Sequence, residues 1–374
     1  MKKIIFGITS LTVGGAERVL VDLVNRIQDD YEITVFTLYD KGLLQKDLGK
    51  KVRKLSLYRK EYSEMNFTDK LKASLKLIFY KKKIHDAILK RGYDYEVAFL
   101  EGPITRLFSA KSSTKKIAWV HNDISKVYGN GIKAKIKKMV DGKAYQKYDK
   151  IVFVSDENKQ DFNLEYEWAE EEKEEIIRNY IDSSKVLKKA EEKVNLPYVE
   201  NDINFLIVCR LVEQKALDRF IKVQKELENR GIHIKVYIIG EGNLRLNLQK
   251  EIDSLGLTED TVLLGGKENP YPYIKNCDYF CLPSYYEGYG MVLEEAKILN
   301  KPIILTDTAA RECAKGYNKA IVVENTFEGL VNGIEKELKN NNMKLLGTTE
   351  ENLDYEEIEL NIVRKVKKLF EYND

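Results

Sequence analysis

The chain has 374 residues, 43% apolar and 33% charged, which is enough for two domains with separate cores. No stretch approaches the roughly 18 consecutive apolar residues of a membrane-spanning helix, and four cysteines with three histidines lack the spacing of a zinc site. The net charge of +2 conceals an asymmetry: residues 1–150 carry 32 Lys+Arg against 17 Asp+Glu, a net +15, while the remainder carries 30 against 43, a net −13. Such a split points only the first half at an anionic surface.

The opening Met1-Lys2-Lys3 and the run Ile4 to Thr9 read as a first strand rather than a signal peptide, because the apolar run is short and a glycine loop and amphipathic helix follow. Further strands rich in Ile, Val and Phe are predicted at 32–38, 52–57, 95–100, 116–120 and 151–155, then at 204–209, 234–239, 261–264, 279–282, 302–306 and 320–323. Helix-length segments separate them, so the pattern predicts two parallel sheets wound on both sides. The basic segments 69–91 and 133–147 read as surface helices suited to anionic lipid headgroups, with an ordinary solvated face as the other reading. The polar stretch 183–202 reads as a linker, and 355–372 as an amphipathic helix burying Ile358, Ile362, Val366, Leu369 and Phe370. Cys209, Cys277, Cys281 and Cys313 fit a reducing cytoplasm.

Open parallel sheets take ligands beyond the carboxyl ends of their strands, and the unusual polar and glycine clusters fall there. If the two such edges face each other, the ligand lies in a cleft between domains. In Pro283 to Ala296, a strand leads through Gly288 and Gly290 into a helix whose inward positions are read as Val292, Ala296 and Leu299. Its unpaired N–H groups and dipole suit a phosphate. Glu287 and Glu295 bracket that helix end, about 12 Å apart if both were helical, too far for one shared proton but matched to an elongated anionic ligand. A cap and a solvated helix residue are the plainer readings. Arg210 and Lys215, five residues apart after a strand, can clamp a diphosphate through a planar fork and a point charge, or can be surface cations.

Gly14 and Gly15 allow close backbone approach to a ligand or form an ordinary turn. Neither they nor Gly240-Glu241-Gly242 complete a dinucleotide fingerprint, which disfavours hydride transfer. His121 ends a strand, where a neutral imidazole can exchange hydrogen bonds with a sugar hydroxyl, or can be satisfied by Asp123. His85 and His233 receive no role. Asp94-Tyr95-Glu96 imitates a metal motif only loosely, at a strand start.

Taken together, Gly14-Gly15-Ala16-Glu17, Trp119-Val120-His121-Asn122, Ser155, Asn179-Tyr180-Ile181-Asp182, Arg210 through Lys215, Gly240-Glu241-Gly242 and the Glu287 to Glu295 E-x7-E pattern resemble those of the family 4 retaining glycosyltransferases, over essentially the whole length. The resemblance is to bacterial enzymes that build capsular or other cell-surface polysaccharides on lipid carriers. It implies an α/β GT-B fold: two Rossmann-like domains with parallel sheets facing across a cleft. Residues 1–178 would bind acceptor, 179–350 would bind the nucleotide sugar, and 351–374 would be a C-terminal helix returning to the first domain.

By the same resemblance, Arg210 and Lys215 would bind the donor diphosphate, Glu287 the donor sugar, and Glu295 the ribose hydroxyls. The amides around Tyr289, Gly290 and Met291 would hold phosphate, and His121 would sit beside the transferred sugar. Gly14 and Gly15 would lie near diphosphate and acceptor, and Gly240 would belong to the same nucleotide-sugar site. The implied reaction is transfer of a hexose or N-acetylhexosamine, with UDP as expected carrier, to a lipid-linked saccharide. It would need no cofactor or metal, would not involve nucleic acid, and would proceed in the cytoplasm at the inner face of the plasma membrane. A sugar-nucleotide epimerase of similar fold and a non-catalytic saccharide-binding subunit are the alternatives.

Overall fold

A computed structural model describes residues 1–12, 14–40, 42–59, 65–124, 131–340 and 354–371. The chain forms two compact units, Met1–Ile181 with Glu357–Asp374, and Asp182–Glu356. Each is a parallel sheet wrapped by helices, the Rossmann-like pattern expected from alternating apolar strands and helix-length segments.

In the first unit the strands are β1 (Lys3–Ile8), β2 (Glu32–Tyr39), β3 (Arg53–Tyr58), β4 (Tyr95–Ala98), β5 (Lys115–Val120), β6 (Lys150–Phe153) and β7 (Glu174–Ile176), in spatial order β3-β2-β1-β4-β5-β6-β7. The order reverses beside β1, which makes the carboxyl ends of β1 and β4 the switch point of the sheet. The helices are α1 (Gly15–Ile27), α2 (Phe67–Phe79), α3 (Lys81–Leu89), α4 (Pro103–Phe108), α5 (Ile132–Tyr145) and α6 (Asp156–Glu165). The segment expected as one helix over 69–91 is two, because Tyr80 leaves helical geometry at φ −111°, ψ 17°. β7 is a short edge strand with the sequence Glu-Glu-Ile, whose Glu174 is held by Lys159 at 3.0 Å and Asn163 at 3.1 Å.

The second unit follows with α7 (Ser183–Ala190), β8 (Asn204–Val208), α8 (Leu217–Asn229), β9 (Lys235–Ile239), α9 (Arg245–Ser254), β10 (Thr261–Gly265), α10 (Tyr271–Asn276), β11 (Tyr279–Leu282), α11 (Met291–Ile298), β12 (Ile303–Thr306), α12 (Arg311–Ala314), β13 (Ala320–Val323) and α13 (Phe327–Asn340). Its sheet order is β10-β9-β8-β11-β12-β13, with the switch between β8 and β11. Its core joins Phe205, Ile207, Phe220, Ile238, Tyr279, Ile304 and Ile334. Residues 183–190 are not a linker. They form α7, capped by the Asp182 carboxylate accepting from the Lys185 N–H at 2.8 Å, with Val186 and Ala190 buried; the apolar positions were too sparse among lysines to show this in the sequence.

The final helix, α14 (Tyr355–Glu371), belongs largely to the first unit. Phe370 meets Phe6, Tyr31 and Tyr95 edge-on, with centroids 6.1, 5.4 and 5.3 Å away, and Lys2 donates to the Phe370 carbonyl at 2.7 Å. Val363 takes the inward place assigned to Ile358, which is 43% exposed. The unit boundaries fall at Ile181/Asp182 and Glu356/Glu357 rather than at 178/179 and 350/351; residues 350, 351 and 372 lie outside the described residues.

Candidate active site

The switch point of the second unit gathers most of the residues singled out in the sequence. β8 ends at Val208, and Arg210 follows it exposed, with no hydrogen-bond or ion-pair partner among the described residues. The chain then makes a 3-10 turn, Glu213–Lys215, before α8. Gly240 lets the neighbouring strand end pack against this turn: at φ +149° it brings its α-carbon so close that a β-carbon would lie 1.8 Å from the Cys209 carbonyl oxygen. Gly242 is equally tight against Leu211, and Glu241 spans outward, accepting from the Gly266 N–H at 3.0 Å.

β11 ends at Leu282, and the loop Pro283 to Gly290 is fixed by polar contacts rather than by apolar packing. Glu287, 7% exposed, forms an ion pair with Lys215 and accepts from the Ser284 hydroxyl at 2.6 Å. Gln214 joins the two segments twice, its side chain donating to the Tyr286 carbonyl at 2.9 Å and its carbonyl accepting from the Tyr285 N–H at 2.9 Å. Thus Lys215 and Glu287, assigned separately to phosphate and sugar, are direct partners. A pair 72 residues apart has no signature in the sequence.

Arg219 was not foreseen. It is 8% exposed, and its guanidinium donates to the Pro283 carbonyl at 2.7 Å and to the Asn325 side chain at 2.9 Å while lying 4.4 Å from the Tyr285 ring centroid. Asn325 in turn donates to the Tyr285 carbonyl at 2.8 Å. A buried arginine is costly unless its donors are used; here the Pro283 carbonyl and the carbonyl and side chain of Asn325 take those of the terminal nitrogens, while Nε has no partner among the described residues.

The loop ends in Gly290, which takes φ +78° as the N-cap of α11; no side chain caps this helix. Its first turn therefore offers N–H groups and the positive end of the dipole. Leu293, Ala296 and Ile298 are its buried residues, so Val292 does not take the inward position expected of it. Tyr289 is buried and donates to Glu294 at 2.6 Å, and Met291 is the first helical residue. Glu295 stands away from the Lys215–Glu287 pair, accepting from the Tyr271 hydroxyl at 3.2 Å.

In the first unit, Gly14 caps α1 in extended conformation and Gly15 is its first residue, beyond β1. His121 lies just beyond β5, 8% exposed, against the Phe99 ring at 4.7 Å. Burial pushes its imidazole pKa down to about 3, opposed only by a hydrogen bond with the Phe99 backbone. Nε2 is buried with no hydrogen-bond partner among the described residues. That bond pattern replaces the Asp123 partnership considered from the sequence. Glu101 sets the position of this segment: its carboxylate accepts from the backbone N–H groups of His121 and Asn122 and, at 3.0 Å, from the Asn122 side chain, while burial pushes its pKa up. Asn158, beside the Ser155 cap of α6, donates to the Asn122 carbonyl at 2.8 Å.

His85 and Glu96 belong to another site. They form a buried pair at 2.5 Å, with Lys116 at 2.8 Å from the same carboxylate. This cluster ties α3 to the starts of β4 and β5, far along the strands from the ligand edge.

Residues 188–353, which include Arg210, Lys215 and the uncapped start of α11, match a family model described as glycosyl transferases group 1. Those residues form a glycosyl transferases group 1 domain. This glycosyltransferase is 29% identical over 346 residues to the Campylobacter jejuni N-acetylgalactosamine-N,N'-diacetylbacillosaminyl-diphospho-undecaprenol 4-alpha-N-acetylgalactosaminyltransferase, covering 90% of this chain and 91% of that one. It is also 29% identical over 214 residues to an uncharacterized glycosyltransferase of Methanocaldococcus jannaschii, a match spanning 56% of this chain and about half, 52%, of the relative. Anabaena HepE, solved in complex with UDP and glucose, superposes with a TM-score of 0.77 at 16% identity over 100% of both chains, which places the glycosyltransferase in the GT-B fold.

Proposed function

We propose that this glycosyltransferase moves a hexose or N-acetylhexosamine from a nucleoside-diphosphate sugar, with UDP as carrier, to a lipid-linked saccharide, with retention of anomeric configuration, in capsular or other surface polysaccharide synthesis. The observation that carries this reading is the unpaired Arg210 beside Lys215 and the uncapped start of α11, three cationic features at one sheet edge. The printed name of the Campylobacter relative supports the acceptor class and the α-linkage. UDP and glucose in the Anabaena relative support the donor class.

In this mechanism the bond from the anomeric carbon to the diphosphate oxygen breaks, its electron pair goes to the diphosphate, and the acceptor hydroxyl bonds to the same face of that carbon. The acceptor's proton passes to the departing phosphate oxygen. Arg210, Lys215 and the N–H groups at Tyr289, Gly290 and Met291 stabilise the charge that grows on the diphosphate, the role other transferases give to a metal. Glu287, held by Lys215 and Ser284, accepts from a donor-sugar hydroxyl, and Glu295 from the ribose. Gly240 shapes the turn that carries Arg210. His121, neutral above about pH 3, offers Nε2 as a hydrogen-bond partner at the ligand edge of the first unit, where the Gly14-Gly15 turn offers backbone N–H groups. No cofactor, metal or nucleic acid takes part, and the enzyme works at the inner face of the plasma membrane, drawn there by its basic N-terminal half.

The test is transfer from UDP-sugars to an undecaprenyl-diphosphate saccharide by Arg210→Ala, Lys215→Ala and Glu287→Ala, each with its thermal melting checked. Large losses with folding preserved are expected. Full activity in all three variants would remove the assignment, and activity that survives a chelator is expected throughout.

A further inference from the structure

Two helices of the first unit are amphipathic in the wrong sense for a protein in water. On α5 the residues turned toward the unit are Asp141, Gly142, Ala144 and Tyr145, while Ile132, Ile136, Met139 and Val140 are 79, 53, 55 and 42% exposed. Those four recur at helical spacing and form one outward stripe. On α2 the outward stripe is Phe67, Leu71, Leu75, Ile78 and Phe79, 80, 50, 42, 69 and 75% exposed, and extends about 18 Å at roughly 1.5 Å per residue. Large apolar side chains scattered singly over a surface are ordinary. Two continuous stripes on neighbouring elements call for a partner.

Both helices lie in one layer, since α2 packs on α3, α3 on α4 and α4 on α5. Buried charge orders the layer: Glu96 of β4 holds His85 of α3, and within the layer Asp141 of α5 receives two donors from the Arg106 guanidinium of α4, one at 2.9 Å. With polar anchors turned inward, the apolar residues face outward. Around them stand Lys72, Lys76, Lys82 and Lys83 on one side and Lys133, Lys135 and Lys137 on the other, all exposed.

We infer that these stripes are a two-point insertion surface for an anionic bilayer, in which Phe67, Ile78 and Phe79 from α2 and Ile132, Ile136 and Met139 from α5 enter the boundary between headgroups and acyl chains. The surrounding lysines pair with lipid phosphates. The choice of a bilayer over a protein partner rests on charge complementarity: a lysine-rimmed apolar stripe lying along a helix fits an anionic interface, in which an interfacial helix sinks about 5–10 Å. This deepens the lipid-linked acceptor reading and rests on it for its purpose, yet it differs in one measurable respect. Attraction by basic residues alone is screened by salt, whereas insertion of apolar side chains is not.

The experiment is flotation of the full chain with vesicles of phosphatidylcholine alone or mixed with phosphatidylglycerol, at low and high salt, with no donor or acceptor present. The wild type is expected to bind the anionic vesicles and to keep a salt-resistant fraction. Phe67→Ser/Ile78→Ser/Phe79→Ser and Ile132→Ser/Ile136→Ser/Met139→Ser, which change only exposed positions, are each expected to lower the salt-resistant partitioning by about tenfold or more. Lys72→Gln/Lys82→Gln/Lys83→Gln should remove mainly the salt-sensitive part. Unchanged binding by both serine variants, or no vesicle binding by the wild type, overturns the inference. So does a dimer in light scattering that the serine substitutions dissociate, since the stripes would then serve a second copy. UDP binding measured on the same samples separates the two readings: vesicle binding without UDP binding removes the transferase mechanism alone, and the converse removes the insertion surface alone.

Discussion

Helix α8 of the second unit buries Leu217, Phe220, Ile221, Val223 and Leu227 and leaves Lys222, Lys225, Glu226 and Glu228 accessible, whereas α5 of the first unit buries Asp141 and exposes Ile132, Ile136 and Met139. Both helices flank parallel sheets of the same winding, so the difference is not one of fold. In the second unit Arg210 and the Lys215–Glu287 pair stand at the ligand edge, α8 turns an apolar face to the core, and its one buried charge, Arg219, is held by the Pro283 loop. In the first unit charge goes inside, as Glu96 with His85 and Lys116, and apolar surface goes outside. One architecture thus presents polar groups at the ligand edge of one sheet and an apolar outer face on the helices of the other.

The largest expected effect lies inside the first unit. Glu96→Ala leaves Lys116 and His85 buried without their carboxylate and is expected to cost roughly 3–5 kcal/mol in chemical denaturation, with UDP affinity unchanged. Burial alone would raise the Glu96 pKa, but His85 and Lys116 outweigh it and hold it below the usual carboxylate range. Its stabilising contribution is therefore full above the unfolded carboxylate pKa and lost as pH falls through the folded one. Wild-type stability should therefore fall more steeply with acid than that of Glu96→Ala, which lacks this carboxylate; a variant with the same acid sensitivity as wild type speaks against it.

In the second unit, Arg210→Ala should lower the transfer rate by about 10²–10³-fold with melting unchanged, because an exposed, unpaired guanidinium carries no folding role. Arg219→Met sharpens the division between binding and positioning. It leaves the Pro283 carbonyl and Asn325 without their donor, at about 1–3 kcal/mol of stability. It is expected to lower kcat more than it raises KM for the donor, with partial recovery in Arg219→Lys; equal losses in both constants would assign Arg219 to stability alone. Gly290→Ala, forcing a side chain into φ +78°, should cost about 1–2 kcal/mol and weaken diphosphate binding.

An effect confined to acid pH concerns His121. Its folded pKa of about 3 lies below that of the unfolded chain, so the unfolded state binds the extra proton and stability falls as pH drops from about 6.5 toward 3. Replacing it by Phe should flatten that slope by up to about 1.4 kcal/mol per pH unit. Transfer should show no His121-dependent inflection near neutrality; one between pH 6 and 7 would contradict a neutral imidazole.

Much of this architecture was legible because buried parallel strands are nearly continuous Ile, Val and Phe, as in Ile303–Thr306 and Asn204–Val208, and because glycine and charge cluster after them. What escaped has a common cause. β7 reads Glu-Glu-Ile, and its place depends on Lys159 and Asn163 from α6 rather than on its own pattern. The apolar residues Ile132, Ile136 and Met139 of α5 recur at helical spacing and read as an inward face, but the Arg106–Asp141 pair turns the opposite face inward. Likewise the Lys215–Glu287 and Arg219–Pro283 contacts join segments that are close only after folding.

The central claim is that the edge of the second unit holds a nucleoside diphosphate. Calorimetric titration of UDP into the full chain and into Arg210→Ala tests it directly. Saturable binding that weakens about tenfold or more in the variant is expected; absence of binding to the wild type, or equal affinity in the two proteins, would contradict it.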